Sequence, residues 1–211
     1  LYGVYSSRID GKIQNRVIEG KIIEAEKWSA TASLYGFSYP EQRFYELWEE
    51  ILGDQFHDAI CGCTSDIVAE GIKRRLKVVE DSLDKIKMEA LSWLAGKMKL
   101  PSDGIGIAVF NHLSWHRKDW AEIEILLPPG SGDLALFDEE GEEVAYQVLD
   151  RFFYLDGSTK SLKLGFISKV PALGWRAYVL RSGRAKAFED GVSASAEGLK
   201  SDIISLSLDY K

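Results

Sequence analysis

From Ala69 to Trp93 the residues Ala69, Ile72, Leu76, Val79, Leu83, Ile86, Ala90 and Trp93 recur at alternating steps of three and four. With 3.6 residues per turn, that spacing keeps one apolar stripe along one side of an α-helix. Lys73, Arg74, Arg75, Lys77, Glu80, Asp81, Asp84, Lys85 and Lys87 fall between, as a solvated face. A stripe of this length has to be covered, by a partner chain in a coiled coil or by helices of the same chain. The same chain supplies two. From about Gly11 to Leu34, Ile18, Ile22, Ala25, Trp28 and Ala32 mark one face of a first helix. Phe44, Leu47, Trp48, Ile51 and Leu52 mark a second. A three-helix bundle is therefore expected. Ser7 or Asp10 suits the start of the first helix and Gly36 its end, while Ser38 and Pro40 suit the start of the second.

After the linker Lys97 to Gly106 the pattern changes to period two. Ile105 to Phe110, Trp120 to Leu127, Glu142 to Leu149, Leu162 to Val170 and Trp175 to Leu180 read as strands. Pro128-Pro129-Gly130-Ser131-Gly132 and Asp138-Glu139-Glu140-Gly141 read as turns. The natural assembly is an antiparallel β-sandwich-like domain, with Ile203 to Leu208 as a last strand and Ser193 to Ser201 as a small, polar, mobile stretch. The expected class is α+β, with a bundle over residues 1–97 and a β domain over 98–211.

Twenty-six basic against 33 acidic residues give a net charge of −7. That balance argues against nucleic acid or an anionic membrane as partner. No apolar run approaches the roughly 20 residues of a membrane-spanning helix. Cys61 and Cys63 are the only cysteines. One intervening residue makes a disulfide between them strained, and two small thiols in a reducing, cytoplasmic compartment is the favoured reading. A local metal site of Cys61, Cys63 and His57 would still need suitable directions and a further ligand.

The chemistry-bearing stretch is Trp48 to Thr64. The second helix runs into Gln55-Phe56-His57-Asp58 and breaks at Cys61-Gly62-Cys63-Thr64. An imidazole and a carboxylate side by side, where stiff backbone gives way to a turn, suit a metal or a sugar-hydroxyl site. The plainer reading makes His57 a helix-end hydrogen bonder. Asp54 and Asp58 are four apart, a spacing that on one helix shares a face and could suggest a glycosidase carboxylate pair. Nothing nearby completes such a pocket. His112 and His116 read as surface or turn residues.

The run Leu47-Trp48-Glu49-Glu50-Ile51-Leu52-Gly53-Asp54-Gln55-Phe56-His57-Asp58-Ala59-Ile60-Cys61-Gly62 resembles the signature of the class II alpha-mannosidases, glycoside hydrolase family 38. Gly3-Val4-Tyr5-Ser6-Ser7-Arg8 resembles the start of that family's helical bundle. Ala108-Val109-Phe110-Asn111-His112-Leu113-Ser114-Trp115 resembles the opening of its β domain. The cysteines depart from the family, whose turn usually carries Pro, Thr or Ser there.

The resemblance implies that His57 matches a ligand of the catalytic zinc and that Asp58 holds hydroxyls of the mannoside substrate. It implies retaining hydrolysis by two carboxylates of an N-terminal barrel, one as nucleophile and one as acid/base. Nothing in this chain resembles that barrel. The expectation is thus an internal fragment, truncated at both ends, inactive alone, and partnered in its parent by the missing barrel and the C-terminal β region. The alternatives are a non-catalytic scaffold or carbohydrate-binding module, which would bury His57 and Asp58, and a related glycosidase without zinc.

Overall fold

The helices form where the stripes lie. The computed structural model describes residues 2–99, 103–186, 192–201 and 203–208. It divides into two compact units, Leu1–Lys99 and Leu100–Lys211. In the first, α1 spans Ile9–Ser33, α2 Glu41–Asp54 and α4 Asp66–Ala95, with a single-turn helix α3, His57–Ile60, inserted between α2 and α4. Ile18, Ile22 and Ala25 of α1, Phe44, Leu47 and Ile51 of α2, and Leu76, Val79, Leu83 and Ile86 of α4 form one buried core. Burying such side chains contributes roughly 1.5–3 kcal/mol each relative to leaving them in water.

The α1 face matches its spacing, since Trp28 and Ala32 are buried too. Its ends differ from expectation at one side only. Neither Ser7 nor Asp10 caps it; the N-cap is Arg8, in a left-handed conformation (φ 47°, ψ 48°) without a side-chain cap bond. At the other end Gly36 (φ 86°) lets its N–H donate to Ser33 O (3.1 Å) while Phe37 N–H donates to Ala32 O (3.2 Å). That pair of bonds needs a left-handed residue, which glycine adopts without steric cost. At the start of α2 the N-cap is Pro40 with no side-chain bond, so Ser38 does not cap it.

At the end of α4, Leu94 is the buried residue and Trp93 stays partly exposed. A step of four from Ala90 carries the stripe to Leu94. Trp93 instead donates its indole N–H to Tyr35 O (3.0 Å) and lies against Phe37, covering the turn that follows α1.

The second unit contains two antiparallel sheets whose inner faces share a core. One has the order β1-β7-β3-β4 and the other β2-β6-β5. The first is built from β1 (Ile105–Asn111), β3 (Leu134–Asp138), β4 (Glu143–Val144) and β7 (Gly174–Ser182). The second is built from β2 (Arg117–Leu126), β5 (Tyr146–Phe153) and β6 (Thr159–Val170). Ile107, Leu134, Leu136, Tyr178 and Leu180 from the first meet Ile125, Tyr146, Leu162, Leu164 and Phe166 from the second. Two buried hydrogen bonds join the sheets: Tyr146 Oη donates to Leu134 O (2.7 Å), and the hydroxyls of Ser168 and Tyr178 bond at 2.9 Å.

The stretch expected as one strand, Glu142 to Leu149, is divided at Ala145 between β4 of one sheet and β5 of the other. A bulge in β5 between Val148 and Asp150 places Leu149 out of register. That extra residue breaks the alternation on which the single-strand reading rested. β3 was not foreseen, because Leu134-Ala135-Leu136 is buried on successive residues and shows no period of two. The stretch Ser193 to Ser201, expected to be mobile, is ordered as β8 (Val192–Ser195) and β9 (Gly198–Ser201). With β10 (Ser205–Ser207) these make a separate three-stranded sheet, β10-β9-β8. Backbone pairing across a tight turn supplies the order that its small side chains do not announce.

Candidate functional site

α2 stops at Asp54, short of the His57-Asp58 pair it was expected to deliver. Gln55 ends it, and the side-chain amide of Gln55 donates to Asn15 Oδ1 (3.2 Å) and Glu19 Oε1 (2.8 Å) on α1. Phe56 then adopts an extended conformation (φ −51°, ψ 140°), and His57 begins the new turn α3. The break separates the two aspartates that four-residue spacing suggested might share a face. Asp54 is buried on α2 and bound by the Arg75 guanidinium, whereas Asp58 is exposed on α3. They do not form a carboxylate pair, and Asp54 is structural.

α3 closes on Gly62. Gly62 N–H donates to Ala59 O (3.0 Å) and Cys63 N–H to Asp58 O (3.2 Å), with Gly62 at φ 79°. This is the same left-handed helix ending as at Gly36. Space is tight here as well, since a Cβ at Gly62 would lie 3.1 Å from Ser7 Oγ and 3.3 Å from Ser7 O. The close neighbour is the segment before α1, and its Arg8 reaches over the turn. Arg8 Nε donates to Gly62 O (3.3 Å), and Nη2 donates to Thr64 O (2.9 Å) and Asp66 Oδ1 (2.9 Å). Sequence reading missed this strap, because its partners lie more than fifty positions away; the Ser7-Arg8 dipeptide was the only signal.

On this turn the side chains of His57 and Asp58 are 73% and 63% exposed, with His57 Nε2 3.3 Å from Asp58 Oδ1. The Phe56 ring flanks the imidazole at a centroid distance of 4.2 Å. An exposed imidazole beside an exposed carboxylate can ligate a cation or exchange hydrogen bonds with a polyol. Cys61 is half-buried and Cys63 exposed, both as free thiols. Among the described residues no group of three or more His, Cys, Asp or Glu side chains is placed to hold a metal. His116 is exposed and His112 half-buried, in the connection after β1. A groove of about 680 Å³ between α2 and α4 lies apart from this turn. Its lining includes Arg43, Glu46, Glu50 and Arg75, whose charges pair on the bundle itself through Arg43–Glu46, Arg75–Glu50 and Arg75–Asp54.

Comparison with known proteins agrees with this assembly. Residues 1–94 match the family described as the alpha mannosidase middle domain. Alpha-mannosidase 2C1 of Mus musculus is 27% identical over 136 residues, which cover 64% of this chain and 13% of that protein. A glycosyl hydrolase family 38 protein of known structure from Enterococcus faecalis has the same fold, with a TM-score of 0.81 at 20% identity. The match covers 98% of this chain and 29% of that one. An alpha-mannosidase structure from Enterococcus faecalis V583 also gives 0.81, at 19% identity, covering 98% and 27%. The chain thus spans less than a third of each relative. Residues 1–94 thus belong to the alpha mannosidase middle domain family, and the chain as a whole shares the fold of the glycosyl hydrolase family 38 structures.

Proposed function

We propose that this chain forms one wall of the active site of a zinc-dependent, retaining alpha-mannosidase, with His57 as a metal ligand and Asp58 as a substrate-binding residue. The observation that carries the proposal is the exposure of both side chains, adjacent, on a one-turn helix tied to the bundle at both ends. A scaffold or binding module with no catalytic role would be expected to bury and satisfy this pair. The donor set fits zinc in kind and falls short in number. A neutral imidazole is a common zinc ligand, and a stable site takes about four donors. His57 therefore supplies one of them, and the others come from the barrel expected in the parent protein.

Within the site, His57 would hold the metal through a ring nitrogen, and the neighbouring carboxylate would bias which nitrogen carries the proton. Asp58 accepts hydrogen bonds from sugar hydroxyls and so fixes the ring's orientation and depth. The Phe56 ring lies beside the imidazole. When bound, zinc supplies a positive centre for sugar hydroxyls and helps hold the ring distorted toward its transition state. Two barrel carboxylates carry out the displacement and the proton transfers.

The test is made on the parent enzyme. Zinc content is measured after exhaustive dialysis for wild type and His57→Ala, together with turnover of an aryl alpha-mannoside by wild type and Asp58→Asn. One zinc per wild-type chain, lost in His57→Ala, and a large fall in kcat/KM for Asp58→Asn are expected. Full zinc content in His57→Ala would overturn the assignment.

A further inference from the structure

We propose that Arg8 is a positioning residue for the His57-Asp58 turn, holding it in place from the opposite end of the bundle segment; this rests on the functional reading above. α3 has no buried residue. With Ala59 and Ile60 only half-buried, this one-turn helix depends for its position on what ties its ends. On the entering side the tie is Gln55, bonded to Asn15 and Glu19. On the leaving side it is the Arg8 guanidinium, whose Nε and Nη2 reach the carbonyls of Gly62 and Thr64.

Three features set Arg8 apart from an ordinary surface arginine. It is one of two non-glycine residues with positive φ among those described, the other being Leu173. Such a backbone persists where surrounding contacts over-determine it. Its side chain is 30% exposed, whereas its ionic partner Asp66 is 94% exposed. An ion pair that open to water contributes little, so the two carbonyl bonds carry the contact. Finally, the planar guanidinium directs several N–H groups at fixed angles and can hold two carbonyls at once, which an ammonium on a flexible stem does poorly. The strap closes over Gly62 where that residue lacks a side chain, with Ser7 and Arg8 against its Cα.

The inference separates the fork from the charge. Arg8→Lys keeps the charge and Asp66→Asn keeps the fork. The first measurement uses this 211-residue chain and needs no metal: hydrogen exchange of the Cys61, Gly62 and Cys63 amides, which donate within the turn. In Arg8→Ala and Arg8→Lys these three amides should exchange faster, while core amides of α1 and α4 keep their rates. Asp66→Asn should leave all of them unchanged. The second measurement is zinc affinity of the parent enzyme by chelator competition. A residue that orients a ligand typically affects metal affinity by 10–100-fold, so a loss of about 10-fold is expected for both Arg8 variants and about none for Asp66→Asn. Unchanged exchange at the turn would overturn the inference, as would a uniform rise across the whole bundle. Faster local exchange with unaltered zinc affinity, in an enzyme whose His57→Ala variant loses zinc, would also overturn it and leave the functional reading standing. Zinc retained by His57→Ala would remove the functional reading instead.

Discussion

The carboxylate of Asp54, almost wholly buried at the end of α2, is bound by the half-exposed guanidinium of Arg75 on α4. This pins the end of one helix to the flank of another just before the chain turns toward His57. The burial is unequal, and so are the expected costs of breaking the pair. Arg75→Ala leaves a buried carboxylate without its cation, a situation that costs about 3 kcal/mol. Asp54→Ala leaves a guanidinium that water already reaches, at about 1 kcal/mol. Denaturant midpoints of the two variants measure the difference; equal losses would mean that the asymmetry of burial is not what matters.

A second cation sits between α1 and α4. Lys21 Nζ donates to Glu80 Oε1 (2.8 Å) and Asp84 Oδ2 (2.7 Å). The bond from Lys21 holds the Glu80 carboxyl below its usual range. For Asp84, burial pushes upward, but bonds from Lys21 and Lys87 outweigh it and the net direction is down. A carboxyl lowered on folding adds stability that is complete above its unfolded pKa and lost as pH falls through the folded one. For Lys21, burial pulls the pKa down and the bonds to Asp84 and Glu80 outweigh it, raising it overall. Its contribution is complete below the ordinary 10.5 and fades as pH rises through the higher folded value. The bundle should therefore be steady near neutrality and weaken as pH drops below about 4.5, the ordinary glutamate value. Lys21→Met should cost about 1 kcal/mol at neutral pH and flatten the acid-side slope. Thermal melts across pH would show both, and an unchanged slope would refute the pairing.

Zinc removal gives a third expectation. The His57 turn offers one exposed imidazole and one neighbouring carboxylate, short of the roughly four donors that hold zinc tightly. The isolated 211-residue chain should retain no stoichiometric zinc on equilibrium dialysis and should not cleave an activated aryl alpha-mannoside. Tight one-to-one binding abolished by Cys61→Ser or Cys63→Ser would reassign the ligands to the local cysteines.

The fourth lies on the outer face of the β2-β6-β5 sheet. A Cβ at Gly165 would fall 2.0 Å from the Trp120 ring, so the indole occupies the space that a side chain would take. Gly165→Ala should cost about 2 kcal/mol, in the range for inserting volume into a packed site. In a Trp120→Ala background the same change should cost almost nothing. A double-mutant cycle with no coupling would show that the ring can simply swing aside.

How much of this was legible in the sequence depended on distance along the chain. The α4 stripe, the α1 face and the change of period at the start of the β unit are local patterns, and all three appear in the structure. Gly36 and Gly62 were legible as helix ends because only certain residues accept a left-handed backbone. The His57-Asp58 pair could be singled out, yet the break at Phe56 that separates it from Asp54 could not. That break depends on Gln55 finding Asn15 and Glu19 on another helix. The Arg8 strap, the crossing at Ala145 and the buried run of β3 were hidden for the same reason. Each is decided by partners remote in sequence, on which periodicity is silent.

The strand order carries a consequence for how the β unit comes into being. Among the described residues β1 lies at the edge of its sheet and pairs only with β7, from Ile105 against Leu180 to Asn111 against Gly174. On a ribosome, β1 is made before the rest of the sandwich and waits for its neighbour until nearly all of it has been synthesised. The bundle, whose helices form from contacts nearby in sequence, can fold during that interval; the sandwich cannot. Until β7 arrives, the nascent chain displays an unpaired apolar edge, and the period of greatest exposure to aggregation and chaperones falls between those two strands.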